Sequence, residues 1–366
     1  MCSLGVLVLS YLVFISMSIG ASQAELSKDV MKMIRKVNKD GPYIGVLVPS
    51  STELQPIFKS SSYQPGDSYL HIDCAGRRFH FGRIEHKRAI ITMTGKGMMN
   101  AAITALMMCN FFNLSAVLHY GLAGSADKNL NLGDIVIPQF WAHTGLWYWQ
   151  KYGQGPNDAL SSEEDGDFTR DYGYLNFADY TSSNDDTHNN FLNNVWFQAE
   201  DVFHFDGAPE SRDKAFWIPI TQSFFEQAKK LEGTALEDCT NTDSCLPRTP
   251  KVVTASRGSS ASIYIDNIAY KTFLHSKFQV SLVDMESAAI ALITHQQNIP
   301  FIAFRAINGP AEESSSKSMD THIFFSLFIE NCLKVLTSFV KIMKEPYVKN
   351  LSDLRNISAS SLRSPL

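Results

Sequence analysis

The chain has 366 residues, enough for one large domain or two modest ones. It is 45% hydrophobic and 19% charged, the balance of a globular protein with a sizeable core. Its formal net charge is −5 and it holds no long basic run, which excludes a nucleic-acid backbone as the expected partner.

Residues Leu4 to Ile19 are almost all apolar, and Ser22-Gln23-Ala24 then sets small residues at the −3 and −1 positions of a cleavage site. A core of about 16 residues is short for a membrane span and suits a signal peptide over residues 1–24, although a charged n-region is missing and an uncleaved anchor is the alternative. No later segment approaches ~20 uninterrupted apolar residues, so no membrane association is expected after cleavage. The expected route is secretory, ending outside the cell or in a vacuole.

A polar helix is predicted from Leu26 to Lys39, and Tyr43 to Val48 reads as a buried strand. Strand-like runs follow over Ser68 to Ile84 and Ala89 to Met93, then a helix over Asn100 to Phe112. Ala116 to Tyr120 is a short apolar run ending in Gly-Leu-Ala-Gly, and Asp134 to Pro138 is another strand. Trp141 to Asp213 breaks the alternation: it is rich in aromatics, Asn and Asp, shows no clean period, and reads as a long insertion that is either a lid or a surface embellishment. Alternation then resumes, with helices over Phe224–Leu231, Ile268–His275, Met285–Gln297 and Thr321–Met343. The strands between them are Lys251–Ala255, Ser281–Val283 and Pro300–Ile307. Such alternation, without a linker or repeat, predicts a single α/β domain over residues 43–343 and a polar tail over 344–366.

Cys239 and Cys245 flank the turn-rich stretch CTNTDSC, where a local disulfide would contribute about 2 kcal/mol in an oxidising compartment; two free thiols are the alternative. Cys109 and Cys332 sit in apolar helical patterns and read as core. Glycosylation sequons stand at Asn113, Asn350 and Asn356; the last two lie in the polar tail, whereas Asn113 lies in an apolar, helix-like segment unsuited to glycan.

Three strand-to-glycine junctions stand out: IGVLVPSSTEL with Glu53, MTGKGMMNAA with Gly95 and Gly97, and HYGLAGSADKNLNLGDIVIP. Glycine turns at strand ends let backbone N–H groups face a polar ligand, and three in one chain suggest a crevice. VDMESAAIAL places Asp284 and Glu286 where a strand enters an apolar helix; they are either capping acids or a carboxylate gripping a vicinal diol. PFIAFRAINGPAEESSS adds a buried strand with Arg305 and an Asn-Gly-Pro turn.

In order, spacing and identity these segments resemble the nucleoside phosphorylase and nucleosidase superfamily, in the branch of methylthioadenosine nucleosidases and plant bark or vegetative storage proteins. VDMESAAIA and GLAG…LGDIVIP carry the resemblance, and NNVWFQAEDVF with AFWIPI points to the storage-protein branch. The resemblance implies a three-layer α/β/α sandwich with a mixed central sheet, ligands at the strand ends, and a homo-oligomer. It implies that Glu53 positions an attacking water and that Thr94, Gly95 and Gly97 form a turn near ribose or phosphate. Ala123 and Gly124 would lie on a loop bordering base and phosphate, and Tyr264 would stack on the base. Met285 would pack against ribose, and Glu286 would accept its hydroxyl protons. The implied ligand is a purine-type nucleoside, cytokinin ribosides included. No metal or other cofactor is expected, and phosphate is the one candidate co-substrate.

The sequence departs from the family where the base is protonated. The family has a Ser-Asp pair after Arg-Ala-Ile; here Asn308-Gly309 follows Arg305-Ala306-Ile307. Asn308 can hydrogen-bond a purine but is not an acid, and Gly309 has nothing to donate. Glu312 and Glu313 lie just beyond, past the stiff Pro310. General acid catalysis contributes ~10²–10⁴-fold, so impaired cleavage is expected. The alternatives are a riboside-binding protein or a storage or wound-response protein without significant turnover.

Overall fold

The computed structural model describes residues 26–66, 68–149, 174–176, 194–242, 244–309 and 321–344. The expected signal peptide, Asn350, Asn356, Glu312 and Glu313 fall outside them. In chain order the first half runs α1 (Lys28–Asp40), β1 (Tyr43–Val48), α2 (Ser51–Lys59), β2 (Tyr63–Pro65), β3 (His71–Cys74), β4 (Arg77–Ile84), β5 (Lys87–Met93), α3 (Met98–Phe111), β6 (Leu114–Ser125) and β7 (Ile135–His143). Short strands follow: β8 (Trp147–Trp149), β9 (Tyr174–Asn176), β10 (Asn194–Phe197), β11 (Glu200–Val202), β12 (Asp213–Ala215) and β13 (Ile218–Pro219). Then come α4 (Gln222–Ala228), β14 (Cys239–Asn241), β15 (Ser244–Cys245), β16 (Val252–Ser260), α5 (Ile268–Phe278), β17 (Val280–Asp284), α6 (Ser287–Gln296), β18 (Phe301–Gly309) and α7 (Phe325–Ile342).

The main sheet is 11-stranded and mixed. Strand β1 lies at its centre, fully buried along YIGVLV and parallel to both β5 and β6, which is why it reads as a continuous apolar run rather than an alternating one. Strands β6, β18, β7, β16 and β17 close on themselves, because β6 pairs with β18 along one stretch and with β17 at its end. Helices flank the sheet: α7 packs on β6 and β18, and α3 packs against α6. The expected mixed sheet with flanking helices is present.

Several boundaries differ from the sequence reading. Strand β6 continues to Ser125, so Gly121–Gly124 is strand and not a turn. The ladder holds through the glycines, with Gly121 opposite Arg305, Ala123 opposite Ile307, and Gly124 opposite both Gly309 and Val283. Strand β7 extends to His143 with Trp141 fully buried, so the insertion leaves the sheet three residues later than its sequence suggests. Its described part is anchored: Phe197 of β10 stacks on Phe273 of α5 at 5.9 Å and meets Phe278 edge-on at 5.2 Å. Asn113 lies beyond the end of α3 and is exposed, not helical. Cys239 and Cys245 form the expected disulfide across the β14–β15 hairpin, while Cys74, Cys109 and Cys332 are buried free thiols. Burial pushes the Cys109 and Cys332 thiols up to about 12, which makes them inert core residues. Among the described residues no helix is long and apolar enough to cross a membrane.

Candidate active site

The site is built where β1, β5, β6, β17 and β18 end. Strand β17 finishes at Asp284, Met285 and Glu286 form a bend, and α6 starts at Ser287. Asp284 acts as the helix cap: it accepts the backbone N–H groups of Glu286 and Ser287, both at 3.1 Å, and the hydroxyls of Ser260 and Ser287. Of these two carboxylates, Asp284 is therefore the one that takes the capping role. Asp284 holds the helix, and Glu286 is left for other work.

Glu286 is buried and gripped from two sides. Its Oε1 accepts the Gly97 N–H at 3.1 Å, and its Oε2 meets Arg305 Nη2 at 2.8 Å. The Gly97 contact depends on the turn before α3, where Gly95 and Gly97 have φ of +85° and +92°, conformations that a side chain would strain. Thr94 is fixed in the same turn, donating its hydroxyl to the Gly95 carbonyl at 2.7 Å. Ser262 accepts the next N–H, that of Met98, at 3.1 Å. A cavity of about 680 Å³ opens beside Thr94 and Gly95, lined also by Leu54, Phe58, Arg77 and His80.

Arg305 is the centre of charge and is 0% exposed. Nη2 lies 2.6 Å from Asp284 and 2.8 Å from Glu286. Its guanidinium fits because Gly121 has no side chain: a Cβ there would lie 2.6 Å from Nη1. Among the described residues, Arg305 Nε and Nη1 have no hydrogen-bond partner. Desolvation alone would lower its pKa, but the charges of Asp284, Glu286 and Glu53 outweigh this and hold the guanidinium protonated. Glu53 is buried in the first turn of α2, accepting from the Ser50 hydroxyl, while its backbone carbonyl accepts from Tyr120. His119, Asp284 and Glu286 offer ligand atoms within 4.8 Å of one another, but Arg305 already fills the position of the cation between the carboxylates.

Burial also acts on the Asp284 and Glu286 carboxyls. It tends to raise Asp284, yet Arg305, His119 and the Ser260 and Ser287 hydroxyls together bring it below the usual range. For Glu286 burial dominates, aided by the Asp284 charge, and the pKa is raised despite Arg305 and the Gly97 N–H. His119 donates from Nδ1 to the Leu47 carbonyl at 2.9 Å, and burial with the Arg305 charge lowers its pKa to about 3, leaving it neutral.

A model of the family described as the phosphorylase superfamily matches residues 43–184 and 196–341. The chain belongs to that superfamily. Bark storage protein A of Populus deltoides is 31% identical over 305 residues, covering 83% of this chain and 89% of that protein. Aminodeoxyfutalosine nucleosidase of Helicobacter pylori is 22% identical over 301 residues, covering 82% of this chain and 96% of the enzyme. The crystal structure of 5'-methylthioadenosine/S-adenosylhomocysteine nucleosidase from Helicobacter pylori with butyl-thio-DADMe-Immucillin-A shares the fold, with TM-score 0.54 at 20% identity, covering 82% of this chain and 98% of that one.

At this site Gly97 donates its N–H to Glu286, Thr94 belongs to the same turn as Gly95 and Gly97, Met285 is half-buried next to Glu286, and Glu53 contributes its charge at Arg305. Ala123 and Gly124 border the site from strand β6 rather than from a loop. Asn308 and Gly309 end β18, opposite Gly124. Tyr264 is 78% exposed, on the segment that follows Ser262. The residue that sequence reasoning underused is Arg305. It reads as a charge in a buried strand, and the signal for its role was the run of apolar residues around it, which requires a carboxylate partner.

Proposed function

We propose that this chain is a riboside-cleaving member of its superfamily, breaking the N-glycosidic bond of purine-type nucleosides with water as nucleophile. The observation that carries the reading is the Glu286 carboxylate, buried yet fixed at one oxygen by Gly97 and at the other by Arg305. Each oxygen keeps a lone pair for a sugar hydroxyl, so the pair of oxygens suits a vicinal diol. Cleavage develops positive charge on the sugar, and an oriented carboxylate stabilises it more in the transition state than in the ground state. Glu53 supplies a second carboxylate near Arg305, suited to hold a water and accept its proton; two buried carboxylates also make the site a poor one for phosphate.

The kinship with bark storage protein A favours a second reading, a storage protein without significant turnover. Incubating the mature protein with adenosine, inosine, methylthioadenosine and a cytokinin riboside, with and without phosphate, separates the two. Phosphate-independent release of free base, with a ligand-induced rise in Tm, supports hydrolysis. No base and no thermal shift with any riboside supports storage. Passage through the secretory pathway and assembly into a homo-oligomer belong to the same proposal, the latter supported by exposed Met99, Ile103 and Leu106 along one face of α3.

A further inference from the structure

Helix α5 carries an unusual residue on its buried stripe. Leu274 and Phe278 face the core, and Lys271 shares that stripe at only 3% exposure. The ammonium lies over the paired ends of β6 and β18. A Cβ on Gly124 would stand 3.6 Å from Lys271 Nζ, and one on Gly309 would stand 4.0 Å from it. The nearest atom to that Gly309 Cβ is otherwise the Gly124 Cα at 3.9 Å, so among the described residues two glycines facing each other leave space beside the ammonium.

We propose that Lys271 is the proton donor to the departing base, acting from the space a side chain at residue 309 would fill. This rests on the riboside-cleaving reading above. As the bond from C1′ to the base breaks, its electron pair passes to the base, and one proton moves from the Lys271 ammonium to a ring nitrogen. Water adds to C1′ and gives its proton to Glu53. After the base leaves, that proton returns through solvent to the Lys271 amine, so riboside and water become free sugar and neutral base. The surroundings suit the task. Desolvation lowers the Lys271 pKa, making it a stronger acid than an exposed lysine, with Asp266 opposing this only in part. Asn308 has no comparable proton to give.

The test compares two substrates: adenosine, which leaves poorly without a proton, and 4-nitrophenyl β-D-ribofuranoside, whose phenolate needs none. Lys271→Met is expected to lose ~10²–10⁴-fold in kcat/KM on adenosine and to keep wild-type activity within a few fold on the aryl riboside. Activity on the aryl riboside also reports that the variant is folded. Adding Gly309→Asp to Lys271→Met is expected to recover a measurable part of the adenosine activity. Equal losses on both substrates, or no loss on either, overturns the assignment of Lys271 while leaving riboside cleavage intact. A wild-type protein that cleaves neither substrate overturns the riboside reading itself and Lys271's role with it.

Discussion

Arg305 and Glu286 differ in what they do for the protein, although they touch. Arg305 neutralises two buried carboxylates at 2.6 and 2.8 Å, so Arg305→Met strands both and is expected to cost ~3–5 kcal/mol in urea denaturation. Glu286→Gln removes a charge that burial already disfavours, so its stability cost should be well below that of Arg305→Met, while kcat/KM for ribosides falls ~10²–10³-fold. His119 sets a pH dependence. Its folded pKa of about 3 lies below the ordinary 6.5, so its contribution to stability is present above 6.5 and is lost as pH falls toward 3. Between pH 6 and 4 this amounts to about 1.4 kcal/mol per unit, and His119→Gln should flatten the measured slope by about one proton. Residue types are readable from the chain: Glu53, Glu286 and the glycines of the TGKG turn all stand out in it as candidates. Their partnerships are not, because Gly97 and Glu286 are separated by 189 residues.

At the scale of elements, the turn before α3 and the β14–β15 hairpin make contrasting predictions. Gly97→Ala strains a φ of +92° and moves the N–H from Glu286, so both stability, by ~1–2 kcal/mol, and riboside affinity should fall. Gly76→Ala, at φ +74° in the β3–β4 turn with nothing within 4 Å of its Cβ, should show the strain in stability alone. Isothermal titration beside denaturation distinguishes the two. Replacing Cys239 and Cys245 by Ser opens a ring of sequence separation 6 and should cost about 2 kcal/mol without altering riboside binding. Element order was legible because β1 and β18 are buried on both faces and read as apolar runs, while α1 and α7 carry helical spacing. The end of β6 was not legible. Glycines normally signal a turn, and only the simultaneous pairing with β18 and β17 keeps Gly121 to Gly124 extended.

For the whole molecule, α3 is informative in both directions. Its Ala101, Ala105 and Met108 pack inward, yet Met99 is 77% and Ile103 52% exposed, an apolar face that a monomer leaves in water. Sedimentation of the mature chain should give an oligomer, and Ile103→Lys should shift it toward monomer. The sequence by itself determined the class of fold, the alternation of strands and helices and the absence of an acid at Gly309, since all of these are written in neighbouring residues. Only the tertiary structure decided that Cys239 and Cys245 are bridged, that Asp284 caps while Glu286 meets the Gly97 N–H, that Arg305 joins the two carboxylates, and that Lys271 stands beside Gly309. These depend on which strands end side by side, and burial makes each charge depend on partners that the chain brings from far away.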